Sequence, residues 1–337
     1  MRNFKKAPAV VICLFAFLAS LVLITKIREN TQHFKAEKNN IIALLNFNER
    51  LLDVEEAIPL YGDWVWENKY AEYQHDLKMA DHYYEVALNW VAVLVLLTGL
   101  VLALLLWYYW KSNRWFGVSM GLLTISLILL VTGIFTPLLE LEAYKENLEI
   151  KVEVDAAALL ADIQQAVAKI PFVGSTSADY LQDLLPEFEG EQYKWHKVYP
   201  DKMYFFYENK GLFDVLRVLW GTGNYPIALI VGVFSFLVPF IKLMASFMFL
   251  FSPVKRMNRL RNSISFLTKF SMIDVMVVSI FLTYFTFDEL STGVDTNSGL
   301  LMGVYFIAGY VLLAMIAGVT VDKYQDTVLK AFKTSKL

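Results

Sequence analysis

The chain is 337 residues long, 57% of them hydrophobic and only 19% charged, with a mean hydropathy of +0.45. Soluble domains are usually about 45–50% apolar and about 25% charged, so one water-facing core cannot absorb this composition; the excess sits in long, nearly uncharged runs. A net charge of −3 excludes a generally basic nucleic-acid binder, and the single cysteine, Cys13, excludes an internal disulfide, a Cys-rich zinc ribbon and an iron–sulfur centre.

In chain order, the first apolar run covers residues 8–25 and follows the basic stretch Arg2, Lys5, Lys6. It reads as an uncleaved anchor rather than a cleaved signal, because the chain stays apolar from Ala19-Ser20 through Ile24. Residues 26–85 carry apolar positions at helical spacing (Ile41, Ile42, Leu44, Leu45), broken at Pro59 and Gly62, and are expected to form a helical hairpin that prolongs the first two spans. His75 and His82, about 10 Å apart along such a helix, are too distant to share a metal ion and read as surface groups. Runs at 86–110 and 116–138 follow, joined by a short turn flanked by Trp107, Tyr108, Tyr109, Trp110 and Trp115, an interfacial aromatic belt.

Residues 139–225 look mixed. Leu148–Val154 alternates as a half-buried strand, and Lys202–Glu208 is a second, aromatic-rich strand expected to pair with it. Helices are expected at 156–170, capped by Asp155, and at 177–185. Gly211–Trp220 is amphipathic and suits the membrane interface. Three further apolar runs lie at 226–251, 270–287 and 300–321. Each of the six runs approaches or exceeds the roughly 20 residues that a bilayer core requires.

Charge orders these spans. The N-terminus, residues 111–114, 252–269 and the tail hold 14 basic residues and only two acidic ones, Asp322 and Asp326. The opposite side, residues 26–85, 139–225 and 288–299, holds 15 basic and 30 acidic. The positive-inside pattern therefore predicts an all-α polytopic membrane protein: six transmembrane helices, both termini in the cytoplasm, an outside helical hairpin and a small mixed α/β outside segment.

Only Lys242 and Asp274 are left inside spans. Charges there are costly and face a bundle interior or cavity, and their depths are compatible with a pair. Pro239 should kink its helix near Lys242. Ser235, Ser271, Ser279 and Thr283 add polar groups. The set reads either as a polar transport network or as a structural ion pair between helices. No catalytic motif, nucleotide loop, cofactor fingerprint or convergent His/Glu/Asp cluster is visible, so an enzyme, a cofactor and a resident metal are not expected.

Ser235-Phe236-Leu237-Val238-Pro239-Phe240-Ile241-Lys242-Leu243 and Phe270-Ser271-Met272-Ile273-Asp274-Val275-Met276-Val277-Val278-Ser279 resemble the membrane domain of the paraquat-inducible protein A family. Phe206–Phe213 is similar to that family's outside strand leading into a short helix, and Gly293 and Gly299 fall where members carry glycines. The likeness covers roughly 114–325. It implies three regions: 1–113, a two-helix anchor with its outside hairpin; 114–325, a four-helix membrane domain with the 139–225 insertion; and 326–337, a basic tail. Members often carry two copies of this domain and zinc ribbons, so one copy with a lone Cys13 reads as a divergent single-domain member. The resemblance further implies a bacterial inner-membrane component that handles lipids or other hydrophobic molecules beside an MCE-type periplasmic tunnel protein, with Lys242 and Asp274 in the coupling network. The competing reading is a membrane sensor or assembly protein whose outside hairpin binds a ligand or partner. Cytoplasmic segments of about 20 residues or fewer leave no room for an output domain.

Overall fold

The computed structural model describes residues 6–47, 50, 62–155, 192–253, 261–262, 264–267, 273–288 and 294–334. The elements are α1 (Ala7–Leu44), α2 (Gly62–Phe135), β1 (Pro137–Asp155), β2 (Gln192–Gly211), α3 (Leu212–Gly221), α4 (Tyr225–Gly232), a π-helical turn (Val233–Leu237), α5 (Val238–Phe251), α6 (Ile273–Asp288), β3 (Asp295–Leu300) and α7 (Met302–Thr334). By contacts they divide into two units: residues 1–43, 71–143 and 206–337, and residues 44–70 with 144–205.

In the first unit, α1 buries one face only. Ala9, Cys13, Ala16, Ser20, Ile24, Ile27, Thr31 and Phe34 recur every three or four residues and are buried, as is Ile41 two turns further on. Its other face is apolar yet exposed (Val10, Val11, Leu14, Phe15, Leu18, Val22). An apolar face with nothing packed on it suits lipid, and the small residues on the packed face let backbones approach closely. Beyond Thr25 the same helix continues without a break to Leu44, as the hairpin reading of residues 26–85 expects for its first arm.

α2 is one 74-residue run of helix interrupted at Asn113, whose backbone (φ −159°, ψ 89°) is extended. The two halves fold back on each other there. A Cβ on Gly117 would stand 2.8 Å from the Leu105 carbonyl oxygen, and one on Gly121 2.6 Å from Leu102 Cδ1. Contacts that move backward along one half as they move forward along the other define an antiparallel pair. Asn113 Oδ1 accepts from the Phe116 amide at 3.3 Å and so starts the second half. The aromatic turn at this point exposes Trp107 and Trp110, consistent with interfacial anchoring.

Among the described residues, four helices are long and apolar enough to cross a membrane: Ala7–Leu44, Lys69–Phe135, Tyr225–Phe251 and Met302–Lys330. The second of these contains two of the expected spans. Of the expected 270–287 run, α6 accounts for residues 273–287, and its remainder lies outside the described residues.

The second half of α2 is the centre of the bundle. Phe116, Met120, Leu123, Leu127, Leu130 and Ile134 pack with Leu243, Phe249 and Leu250 of α5 and Val304, Ile307, Tyr310 and Ala317 of α7. Buried Ser119 donates to Thr320 across this core at 3.1 Å, an interhelical hydrogen bond of the kind that replaces water in a membrane interior. At the far end from the sheet, the Lys6 ammonium donates to the Leu250 carbonyl at 2.6 Å and lies 5.6 Å from the ring centroids of Phe116 and Phe251 and 5.9 Å from Tyr324. A basic group on the last carbonyls of a helix complements its dipole, and burial pushes this amine's pKa down.

The sheet has the order β2-β1-β3. The two strands read in the sequence pair as expected. Both are longer than their alternating cores, and β3 completes the sheet. In the second unit, Tyr204 donates its amide to the Leu45 carbonyl at 2.9 Å, Phe47 stacks on Phe205 at 4.8 Å, and Lys202 lies 4.1 Å over the Tyr144 ring. The helices expected at 156–170 and 177–185 lie outside the described residues.

Candidate functional site

The polar set within the spans is placed in part. Ser235 is buried at 6% exposure inside the π-helical turn. The expected kink at Pro239 takes that form: the Val238 amide bonds to the Val233 carbonyl, five residues back, rather than four. The cause is steric, since a proline ring clashes with the carbonyl four residues before it, here Ser235, and a widened turn relieves the clash. Pro239 itself is buried at the start of α5. Lys242 is half-buried, and its carbonyl accepts from the Ser246 hydroxyl at 2.9 Å. Ser279 is exposed and donates to the Val275 carbonyl at 2.9 Å, as Thr283 does to Ser279. Asp274 belongs to α6 by its backbone; its side chain and all of Ser271 lie outside the described residues.

A second polar group sits where the sheet meets the helices. Glu140 and Glu142, two apart on β1 and therefore on one face, are buried at 9% and 6% exposure. The Lys38 ammonium stands 3.7 Å from an oxygen of each. Tyr207 donates to Glu140 at 2.8 Å, and Asn297 of β3 reaches Glu142 at 3.5 Å. Burial first, and the Glu140 carboxylate second, push the Tyr207 phenol well above its ordinary range. It therefore stays a neutral donor, which a buried carboxylate needs.

A cleft of about 700 Å³ lies beside α1 and α3. Arg28, Thr31, Gln32 and Lys35 of α1 form one wall, Phe213, Asp214, Leu216, Arg217 and Trp220 of α3 another, and Ile134–Pro137 with Gly211 the floor. Its shape follows from local rules. The Gly211 amide donates to Asp214 Oδ2 at 3.1 Å, so the third residue of α3 caps the helix N-terminus from within. A Cβ on Gly211 would lie 3.0 Å from the Thr136 carbonyl oxygen, a tight approach that glycine makes without any shift of the floor.

Lys35 donates to the same Asp214 oxygen at 2.8 Å and ties α1 to α3. The Arg28 guanidinium lies 5.4 Å over the Phe135 ring, and Phe135 stacks on Phe213 at 5.1 Å. Burial pushes Asp214 upward, but the Lys35 ammonium and the Gly211 amide, with a smaller contribution from the Arg217 charge, outweigh it and hold the carboxyl below its ordinary value. Among the described residues no salt bridge joins Arg28 or Arg217 to a carboxylate, although Arg217 is within electrostatic reach of Asp214, and both arginines lie next to exposed Phe213 and Trp220.

None of these cleft residues stood out in the sequence as a site. Two signals for it were present: basic Arg28 and Lys35, seven apart and so on one helical face just past an apolar run, and an amphipathic segment containing Asp214 and Arg217. His75 and His82 are exposed, and among the described residues no cluster of three metal-ligating groups occurs.

Residues 202–325 match the family model for Paraquat-inducible protein A. Over this block, a little more than a third of the chain, it is similar to that family. The block contains the end of β2, α3, α4, the π-helical turn, α5 with Pro239 and Lys242, α6, β3 and most of α7. The α1 wall of the cleft lies outside it. No curated protein matches the chain, and no solved structure matches it.

Proposed function

We propose that this chain is a paraquat-inducible protein A family member and the inner-membrane component of a bacterial cell-envelope system that moves lipids or other hydrophobic molecules, with a periplasmic tunnel protein as partner. The observation that carries this reading is the cleft beside α3, where exposed arginines meet exposed aromatic side chains. An amphiphile is the class of molecule that satisfies both at once: its charged head needs the cations and its chains need the apolar surface. In this reading the sheet-bearing end faces the periplasm and six helices span the membrane. Ser235, Pro239, Lys242, Ser271, Asp274 and Ser279 form the polar path along which helix movement is coupled to loading. The π-helical turn before Pro239 supports that role, since such turns are frequent at functional positions.

The test is lipid photocrosslinking from α4 and α5 in intact membranes, combined with Lys242→Ala and Asp274→Asn in cells lacking the native gene. Crosslinked lipid, and envelope lipid sensitivity in variants that insert at wild-type levels, are expected. Full complementation by both variants sinks the polar path. Crosslinks only to a protein, with no lipid, favour the sensor or assembly reading.

A further inference from the structure

We propose that the cleft beside α1 and α3 recognises the phosphate of an anionic amphiphile, with Arg28 and Arg217 as the phosphate ligands. This rests on the lipid-handling reading and names the headgroup chemistry that reading leaves open.

Charge is the first argument. The cleft is lined by Arg28, Lys35 and Arg217 against the single carboxylate of Asp214. Asp214 already accepts from Lys35 at 2.8 Å and from the Gly211 amide at 3.1 Å. Arg217 is also within electrostatic reach of that carboxylate, but one anion cannot balance three cations, so a positive surplus remains and an incoming ammonium finds no unengaged carboxylate among the lining residues. A zwitterionic head is half-matched and an anionic one fully matched.

Residue type is the second. Guanidinium groups bind phosphate bidentately, which lysine cannot do. Arg28 is oriented for this by the stack beneath it, where its guanidinium covers Phe135 and Phe135 covers Phe213. Arg217 is four residues after Phe213 and so stands on the same face of α3.

Level is the third. Arg28 follows the end of the apolar run at Thr25 by three residues, about 4.5 Å of helix. The headgroup layer is about 5–8 Å thick on each side of the hydrocarbon. Arg28 thus lies at phosphate depth, whereas Lys35, about 15 Å past Thr25, stands beyond it and serves Asp214. Phe213, Leu216 and Trp220 continue from the arginines as the surface for acyl chains. The volume of about 700 Å³ suits a headgroup with the first part of its chains.

The experiment uses the full chain in phosphatidylcholine nanodiscs doped with phosphatidylglycerol, with bound lipid counted by native mass spectrometry. Wild type is expected to retain phosphatidylglycerol over phosphatidylcholine. The double variant Arg28→Gln, Arg217→Gln should lose that preference by about tenfold or more, since two charge-assisted contacts are removed. Arg28→Lys with Arg217→Lys should keep only part of it. Both arginines are exposed, so each single variant, checked by circular dichroism, serves if the double variant fails to fold. Lys26→Gln, a charge on the same helix that pairs with Glu29 outside the cleft, should leave the preference unchanged.

A folded double variant that keeps full preference, or a wild type with none, overturns the proposal. So does displacement of the lipid by soluble glycerol phosphate, which assigns the site to free phosphate esters. Failure here is separable from failure of the proposed function. Arginine-dependent binding without lipid transfer to a periplasmic acceptor keeps the site and ends the transport reading, whereas transfer that survives in the double variant does the reverse.

Discussion

Asp214 receives two donors on one oxygen, the Lys35 ammonium at 2.8 Å and the Gly211 amide at 3.1 Å. One carboxylate thus caps α3 and joins it to α1. Because its folded pKa is held below the ordinary value, the ionised form is the stabilising one. That contribution is complete above the unfolded carboxyl range and is lost as pH falls through the lowered folded value. Lys35 and Asp214 are 30% and 42% exposed, so water and salt screen the pair and its worth is about 1 kcal/mol or less. Asp214→Asn should therefore lower the melting temperature slightly at neutral pH, and the gap to wild type should close in acid below the carboxylate range. A gap that persists there in thermal unfolding scans would mean that Asp214 acts by shape rather than charge.

At the scale of elements, close approach of backbones decides where helices cross. Gly303, at the start of α7, faces the end of α2: a Cβ there would lie 2.5 Å from the Pro137 carbonyl oxygen and 2.9 Å from that of Thr136. Neither neighbour is a flexible side-chain end, so the helix itself must move. Gly303→Val should cost about 1–3 kcal/mol, as overpacking does, and should loosen the junction that supports the cleft floor. Gly318, further along α7, has open space where a Cβ would stand, with nothing within 4 Å. Gly318→Ala should be neutral or stabilising by up to about 1 kcal/mol, from helix propensity. Equal losses for the two variants in detergent-melting measurements would contradict this account. The π-helical turn before Pro239 belongs to the same scale: a proline dictates that the helix must adjust, and the surrounding packing dictates that it widens.

At the scale of the molecule, the proposed topology puts the sheet-bearing end outside and both termini in the cytoplasm. Cys13 is buried and free, so background labelling is low. A cysteine introduced at exposed Asn224 should react with an impermeant maleimide on cells whose outer membrane has been opened. One at exposed Asp326 should react only after the inner membrane is permeabilised. Reaction of both from the same side refutes the arrangement.

Hydropathy, charge segregation and period-2 alternation are one-dimensional properties, and they sufficed for the membrane class, for the amphipathic helix α3 and for two paired strands. They also exposed Lys242 and Asp274, because a charge inside an apolar run is visible without coordinates. The cleft was not visible in this way. Arg28 and Arg217 are 189 positions apart, and each alone looks like an ordinary interfacial cation. They share one cleft only because Asn113 turns α2 back on itself, bringing Phe135 between α1 and Phe213. Burial follows from which elements meet. The polar layer of Glu140, Glu142, Lys38 and Tyr207, like the π-helical response to Pro239, therefore belongs to the packed chain and not to any local stretch of it.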